Sequence, residues 1–142
     1  MGKGRVLAID YGKKRVGLAV TDPEQRIATR LTTVSSGDIW SFLDSYFRQE
    51  NVVLVLVGYP LQLNAQPSEA VAYINPFIKA FVKKYPEIKL EQVDERFTSV
   101  LAHQALIDGG LKKKERQDKS LIDGVSATIL LQSYLERQKY MQ

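Results

Sequence analysis

Six apolar residues in a row, Val52 to Val57, constrain the fold of this chain more than any other feature. A strand with one face in water alternates apolar and polar residues, whereas this run contains no polar residue before it ends at Gly58. Such a strand is buried on both faces, as in a parallel sheet covered by helices. The run therefore predicts an α/β fold around a central sheet.

The segments around this run supply further strands and helices. Strands joined by short turns or by helices are predicted at residues 4–10, 14–22, 26–34 and 88–93. Apolar residues at helical spacing predict helices at residues 39–47, 68–84, 98–108 and 120–138. Asp38 is the predicted N-cap of the first helix, and Pro76 is expected to kink or interrupt the second.

The order of these elements predicts a five-stranded mixed sheet with helices on both faces. Three antiparallel strands come first, and two parallel strands reached through helices follow. No repeat or linker divides the 142 residues, so residues 1–142 are expected to form a single domain. Ligands of open α/β sheets bind at the carboxyl ends of parallel strands, which makes that edge the place to look for a site.

Composition excludes several classes of protein. The chain has no cysteine, which rules out disulfides and thiolate metal sites and suits a reducing compartment. No signal peptide or run of about 20 apolar residues is visible, so a cytoplasmic protein without a membrane anchor is expected. The net charge of +4 is compatible with a polyanionic partner such as nucleic acid.

Four acidic residues at element ends are the candidate catalytic groups. Asp10 ends the first strand, where a charge beside a buried run is costly unless something pairs with it. Asp94 and Glu95 end the last strand; both could be solvated, and at most one should share the side of Asp10, because adjacent strand residues point to opposite faces. Asp123 opens the last helix, where a capping box starting at Ser120 also explains it.

Carboxylates that converge on one edge make an oxygen-rich site for a hard divalent cation. The candidate ligands are Asp10, Asp123 and one of the pair Asp94 and Glu95, with Glu95 taken as the metal ligand, and the cation would be Mg²⁺ or Mn²⁺. Such ions assist phosphodiester hydrolysis by stabilising the attacking and leaving oxygens. Zinc chemistry is not expected, since the chain has one histidine, His103, and no cysteine. No phosphate-binding P-loop and no dinucleotide-binding glycine motif is present.

Two basic segments flank the acidic positions. One follows Asp10 and the other precedes Asp123, which is where contacts to a phosphate backbone would have to lie. Each segment could equally be a solvated loop. The candidate nucleic-acid-binding residues are Lys13, Lys14, Arg15, Arg96, Lys112, Lys113, Lys114, Arg116 and Lys119.

Four motifs along the chain resemble the YqgF/RuvX family and occur in that family's order. They are Leu7–Gly12 with Arg15–Asp22, Val57–Leu61, Asp94–Ser99, and Asp123–Leu135 after the basic loop. The resemblance implies a ribonuclease H-like fold, a nuclease that processes the 5′ end of precursor 16S ribosomal RNA, and a relationship to Holliday junction resolvases. It places the family's acidic positions on Asp10, on Asp94–Glu95 and on Asp123.

The chain departs from the family at two places. Lys13 stands where the family usually has threonine, which could alter a phosphate contact. Residues 62–65 read Gln-Leu-Asn-Ala where the family commonly has Asn-Met-Asp-Gly, which removes an acid and a glycine from that loop.

The leading hypothesis is a metal-dependent endonuclease acting on precursor ribosomal RNA, as a monomer or homodimer and with a possible ribosomal partner. The first alternative is a resolvase of four-way DNA junctions, which would have to be a dimer to cut two strands symmetrically. A non-catalytic RNA-binding factor of ribosome assembly is an alternative of another class. The Asp-x-Gly of residues 10–12 also resembles a phosphate loop of actin-like ATPases, but those need two facing domains.

Overall fold

The computed structural model describes residues 4–59, 71–94 and 119–140. The strands are β1 (Arg5–Tyr11), β2 (Arg15–Thr21), β3 (Ala28–Ser35), β4 (Val52–Tyr59) and β5 (Lys89–Asp94). The helices are α1 (Ile39–Gln49), α2 (Val71–Lys84) and α3 (Lys119–Tyr140), and a 3₁₀ turn, Ser36–Asp38, precedes α1. The predicted helix at residues 98–108 and most of the predicted basic loop lie outside these residues.

The five strands form one mixed sheet in the order β3-β2-β1-β4-β5. Strand β2 is antiparallel to both β1 and β3, whereas β1 and β5 both lie parallel to β4. This arrangement confirms the predicted three antiparallel and two parallel strands, and with them the ribonuclease H-like fold. The strand that carries Asp10, β1, is the central strand of the sheet.

Helices cover both faces of the sheet, and the alternation along β1 separates the two cores. Leu7 and Ile9 face the core formed with α1 and α2, while Val6 and Ala8 face the core formed with α3. Residues 54–57 of β4 are buried as well, as the continuous apolar run predicted. The middle of the sheet, in β1 and β4, is therefore buried on both faces.

Helix α2 continues through Pro76, so the predicted interruption is wrong. Proline removes one backbone hydrogen bond from a helix. Here the residues around it, Ile74, Phe77, Ile78 and Phe81, are all buried against the sheet and α1. Burial of four large side chains outweighs the missing hydrogen bond, since each contributes about 1.5–3 kcal/mol.

One of the two predicted helix caps is confirmed in position and the other is wrong. Asp38 is the N-cap residue of α1, but its side chain makes no capping bond to the helix and instead accepts a hydrogen bond from Ser35 Oγ at 2.8 Å. Helix α3 begins at Lys119, so Ser120 is a helical residue and Asp123 is not in the first turn. The capping explanation of Asp123 is thereby removed. None of the described helices is long and apolar enough to cross a membrane.

Candidate functional site

Asp10 lies at the carboxyl end of the central strand between two glycines. It is the penultimate residue of β1, half-buried, and pairs with Gly17 of β2. On the other side Ile9 pairs with Val57, so Gly58 is the β4 residue that follows in the row of Asp10. Glycine within a strand often marks a place where a ligand approaches closely. The two residues next to Asp10 in this row are thus glycines, which contribute no side chain of their own.

The two faces at this edge differ in character. Asp10 shares the face of Val6 and Ala8, which α3 covers. Tyr11, on the opposite face, stacks on Phe77 of α2 with ring centroids 4.3 Å apart. Burial raises the pKa of the Tyr11 phenol, so this ring remains neutral and serves packing. At this edge the face towards α2 is therefore occupied by aromatic packing, and the carboxylate of Asp10 belongs to the strand face that α3 covers.

Helix α3 crosses that side from the Asp10 edge towards the opposite edge. Burial raises the pKa of Tyr134, and the nearby charges of Glu91 and Lys89, at the start of β5, act on the same phenol. The helix also packs over β1, β2 and β3. Because its later residues lie beside the amino end of β5, its earlier turns lie towards the carboxyl ends where Asp10 and Gly58 stand.

Of the predicted pair Asp94 and Glu95, only Asp94 belongs to the described part of the last strand. Asp94 is the final residue of β5 and pairs with Tyr59. Val93 pairs with Gly58 and packs against the core on the α3 side, so the row of Asp10 continues to Val93 rather than to Asp94. Glu95 and Arg96 lie outside the described residues. Among the described side chains, no group of three or more acidic or histidine residues gathers.

The predicted basic residues are placed in part. Lys13 and Lys14 are exposed at the tip of the β1–β2 turn, and Arg15 is half-buried at the start of β2. Lys119 is the first residue of α3 rather than part of a loop. The remaining candidates lie outside the described residues: Lys112, Lys113, Lys114 and Arg116.

One residue of this edge, Ser36, was not predicted from the sequence. Its backbone N–H donates to the Lys14 carbonyl at 2.9 Å, and its Oγ donates to the Lys13 carbonyl at 2.8 Å. These partners are more than twenty residues away along the chain, so no local pattern announces them. The only available signal was the predicted pairing of the second and third strands, which brings the end of β3 beside the turn.

Comparisons with known proteins agree with this architecture. The family model described as "RuvX: Holliday junction resolvase" matches residues 4–137. A protein of Phocaeicola vulgatus is 58% identical over 137 residues, covering 96% of this chain and 99% of its own length. Relatives in Christiangramia forsetii and Bacteroides fragilis are 54% and 50% identical, covering 92% and 95% of this chain and 97% and 98% of their own. All three carry the name "Putative pre-16S rRNA nuclease".

Among solved structures, YeaZ from Pseudomonas aeruginosa matches 75% of this chain and 49% of its own, at 12% identity and a TM-score of 0.41. A likeness this low carries no argument about function. The family model spans nearly the whole chain, and the relatives are more than 30% identical over almost their full length. The chain belongs to the RuvX family of Holliday junction resolvases.

Proposed function

We propose that this chain is a metal-dependent endonuclease that hydrolyses phosphodiester bonds in precursor 16S ribosomal RNA, as a single cytoplasmic domain. The observation that carries the proposal is the position of Asp10 at the carboxyl end of the central strand, in a row between Gly17 and Gly58. It lies at the edge where open α/β sheets bind ligands. The name shared by the relatives supplies the substrate class.

The direction of α3 supports Asp123 as a second ligand. Ala127 is buried in the same core as Ala8, and Asp123 is one helical turn before Ala127. Four helical residues rise about 6 Å. The two strand residues from Ala8 to Asp10 rise about 6.6 Å. The two steps agree in length and both lead towards the same edge of the sheet, which supports Asp123 as a ligand at the edge where Asp10 lies.

Strand alternation supports Glu95 over Asp94 as the third ligand. Val93 lies on the α3 side, and the next position of the same parity in an extended chain is residue 95. We therefore assign Glu95 as a metal ligand. Asp94 would take a catalytic role beside it only if the extended strand ends before residue 94. Metal affinity measured in the two single variants, Glu95→Gln and Asp94→Asn, separates the two assignments. The variant that lacks the metal ligand should bind the metal more weakly.

The donor set suits a hard cation. Carboxylate oxygens are the ligands that Mg²⁺ and Mn²⁺ prefer, and Mg²⁺ binds through few carboxylates so that phosphate oxygens complete its shell. When bound, the ion would supply positive charge to the phosphate oxygens under attack and departure. The glycines on both sides of Asp10 leave room for those oxygens.

The basic residues are assigned to the RNA backbone. The β1–β2 turn and the start of β2 carry Lys13, Lys14 and Arg15, a few residues after Asp10. We therefore expect their positive charges to lie near the phosphate that is cleaved. We extend the same role to the basic residues of the segment before and into α3 and to the residue after Glu95: Lys112, Lys113, Lys114, Arg116, Lys119 and Arg96. Phosphate contacts of this kind fix register and carry no sequence information.

The decisive test is Asp10→Asn, assayed for cleavage of precursor 16S RNA with Mg²⁺ or Mn²⁺. The amide keeps the size of the carboxylate but loses its charge, so cleavage is expected to fall by about 100-fold or more. Circular dichroism should show an unchanged fold. Unchanged cleavage by the folded variant would rule out the mechanism.

Asp22→Asn is the matched control. Asp22 accepts backbone N–H bonds from Arg26 and Ile27 at the opposite edge of the sheet, at 2.7 and 2.9 Å. These bonds lower the pKa of its carboxyl, and an asparagine oxygen can still accept them. This variant should cleave as the wild-type protein does. If the wild-type protein binds the RNA but cleaves nothing with either metal, the chain is a non-catalytic assembly factor.

The family's description favours a second candidate, resolution of four-way DNA junctions. It would use the same carboxylates but must place two active sites symmetrically on the junction. A junction offered beside precursor RNA and single-stranded RNA decides between the two. Paired symmetric nicks in the junction, with no RNA cleavage, would favour the resolvase.

A further inference from the structure

The tip of the β1–β2 turn is held by the residue that directly follows β3. The Ser36 N–H bonds the carbonyl of Lys14 at 2.9 Å, and the Ser36 hydroxyl bonds the carbonyl of Lys13 at 2.8 Å. A single residue thus takes both carbonyl groups of the tip. The hydroxyl bond is the part of this bracket that a side-chain substitution can remove.

The base of the turn is fixed separately. The Gly12 N–H donates to the Arg15 carbonyl at 2.8 Å, and a Cβ on Gly12 would lie 2.5 Å from that same oxygen. The tip beyond it carries Lys13 and Lys14, both exposed. In the described part of the chain neither ammonium group forms an ion pair. The orientation of the two lysines therefore depends on the backbone of the tip.

We propose that Ser36 is a positioning residue that presents the Lys13–Lys14 turn to the RNA backbone. With both carbonyls turned towards Ser36, the negative ends of the tip's peptide dipoles point away from an approaching phosphate. Across a trans peptide the Lys14 N–H is antiparallel to the Lys13 carbonyl, so it faces the phosphate side. Ordering the tip before binding also removes an entropic cost from binding.

The 3₁₀ turn that carries Ser36 is itself braced. Ser35 Oγ donates to Asp38 Oδ2 at 2.8 Å, and Ser41 Oγ donates to the Asp38 carbonyl at 3.0 Å. Neither of these bonds reaches the Lys13–Lys14 turn. Ser35 therefore offers a matched control, since it is the adjacent residue of the same type with a hydroxyl bond of the same length.

The test compares Ser36→Ala, Ser36→Thr and Ser35→Ala in RNA binding without divalent metal, which leaves the RNA intact. Without the Ser36 hydroxyl bond, the tip must be ordered when RNA binds, at a cost comparable to one hydrogen bond. The dissociation constant of Ser36→Ala is therefore expected to be about three- to tenfold higher. Threonine keeps the hydroxyl and should restore wild-type binding, and Ser35→Ala should bind as wild type. In cleavage, Ser36→Ala should raise KM and leave kcat unchanged.

The effect must act through the lysines. The double variant Lys13→Ala/Lys14→Ala loses two phosphate contacts, so the slope of log Kd against log salt should fall by about 1.4 for single-stranded RNA. In that background, Ser36→Ala should weaken RNA binding no further. A further loss there, or an equal loss in Ser35→Ala, would overturn the proposal.

The proposal rests on RNA binding by this turn, which is part of the proposed function, but the two can fail separately. If the protein binds RNA in this Ser36-dependent way and cleaves none, the nuclease assignment fails and the positioning role stands. If it cleaves normally and Ser36→Ala binds as wild type does, the positioning role fails and the nuclease assignment stands.

Discussion

At the scale of single residues, the feature with the greatest consequence is the pair of glycines beside Asp10. Asp10 itself was predictable, because a charge at the end of an apolar strand stands out locally. The glycines were not, since Gly17 and Gly58 become its neighbours only through the register of two different strand pairs. A one-residue shift in either register would put a bulky side chain beside the carboxylate.

Gly17→Ala tests whether the open flank is used. A methyl group beside Asp10 on the α3 side should reduce cleavage by about 10-fold or more and raise the Mg²⁺ concentration needed for half-maximal rate. Alanine is favoured over glycine within a strand by about 0.5–1 kcal/mol, so the fold should persist. The rate is measured across a Mg²⁺ titration, with circular dichroism as the check on folding.

Gly37→Ala is the control for this substitution. A Cβ at Gly37 would meet nothing within 4 Å, and its φ is not in the left-handed region. It should cleave normally and gain about 0.4–1 kcal/mol of stability from the reduced freedom of the unfolded chain. Wild-type cleavage and metal dependence in Gly17→Ala would show that the open flank of Asp10 has no role.

At the scale of elements, α1 and α2 are joined by an aromatic cluster that ends in a half-buried polar pair. Phe47 packs edge-on against Tyr85, with centroids 4.9 Å apart, and the Tyr85 hydroxyl donates a hydrogen bond to Asp44 of α1. Burial, and then the bond to Asp44, raises the pKa of the Tyr85 phenol far above its usual value. This pair fixes the residue after α2 to the middle of α1.

Tyr85→Phe should lower the free energy of unfolding at pH 7 by about 1 kcal/mol, because Asp44 loses a donor. In the unfolded chain tyrosine ionises near pH 10. The folded protein keeps the Tyr85 proton above that pH, so wild-type stability falls as the pH rises past about 10. The fall should be shallower in Tyr85→Phe. Urea unfolding at pH 7, 9 and 11 measures both effects.

A double-mutant cycle with Asp44→Ala completes that test. The two single losses should add to more than the loss in the double variant, since both remove the same bond. Additive losses, or an alkaline fall as steep in Tyr85→Phe as in wild type, would contradict the assignment. Burial also raises the pKa of Tyr11 and Tyr46, so some alkaline sensitivity should remain in the variant.

The elements also show where prediction from sequence stops. The type and order of the described helices and strands followed from periodicity, because the two cores impose it on every buried face. The interruption expected at Pro76 was wrong, since tertiary burial of its neighbours outweighed the local preference. The start of α3 was predicted one residue too late. A serine near a helix start acts as the cap only when the helix begins at the next residue, and sequence does not fix that boundary.

At the scale of the whole molecule, the described surface carries its large apolar side chains singly rather than in a patch. Its exposed large apolar side chains are Ile27, Val53 and Val82, which belong to a turn, β4 and α2. Single exposed apolar residues are normal, whereas a stable interface needs a contiguous patch. The net charge of +4 adds long-range attraction for a polyanion.

We therefore expect light scattering of the purified protein to give the mass of one 16.1 kDa chain. Cleavage of the RNA should show first-order dependence on protein concentration. A stable dimer, or a second-order dependence, would instead support the junction resolvase, because two symmetric cuts need two copies.

Helix α3 follows all five strands along the chain, and this order has a consequence for synthesis on the ribosome. Chains emerge from their amino end and begin to fold as they emerge. Helix α3 covers Val6, Ala8, Ala19 and Leu56, so that face of the sheet stays exposed to water until α3 has been synthesised. Asp123 belongs to the same late helix. If Asp123 holds the metal as proposed, a nascent copy cannot complete its site or cut RNA until α3 has been synthesised.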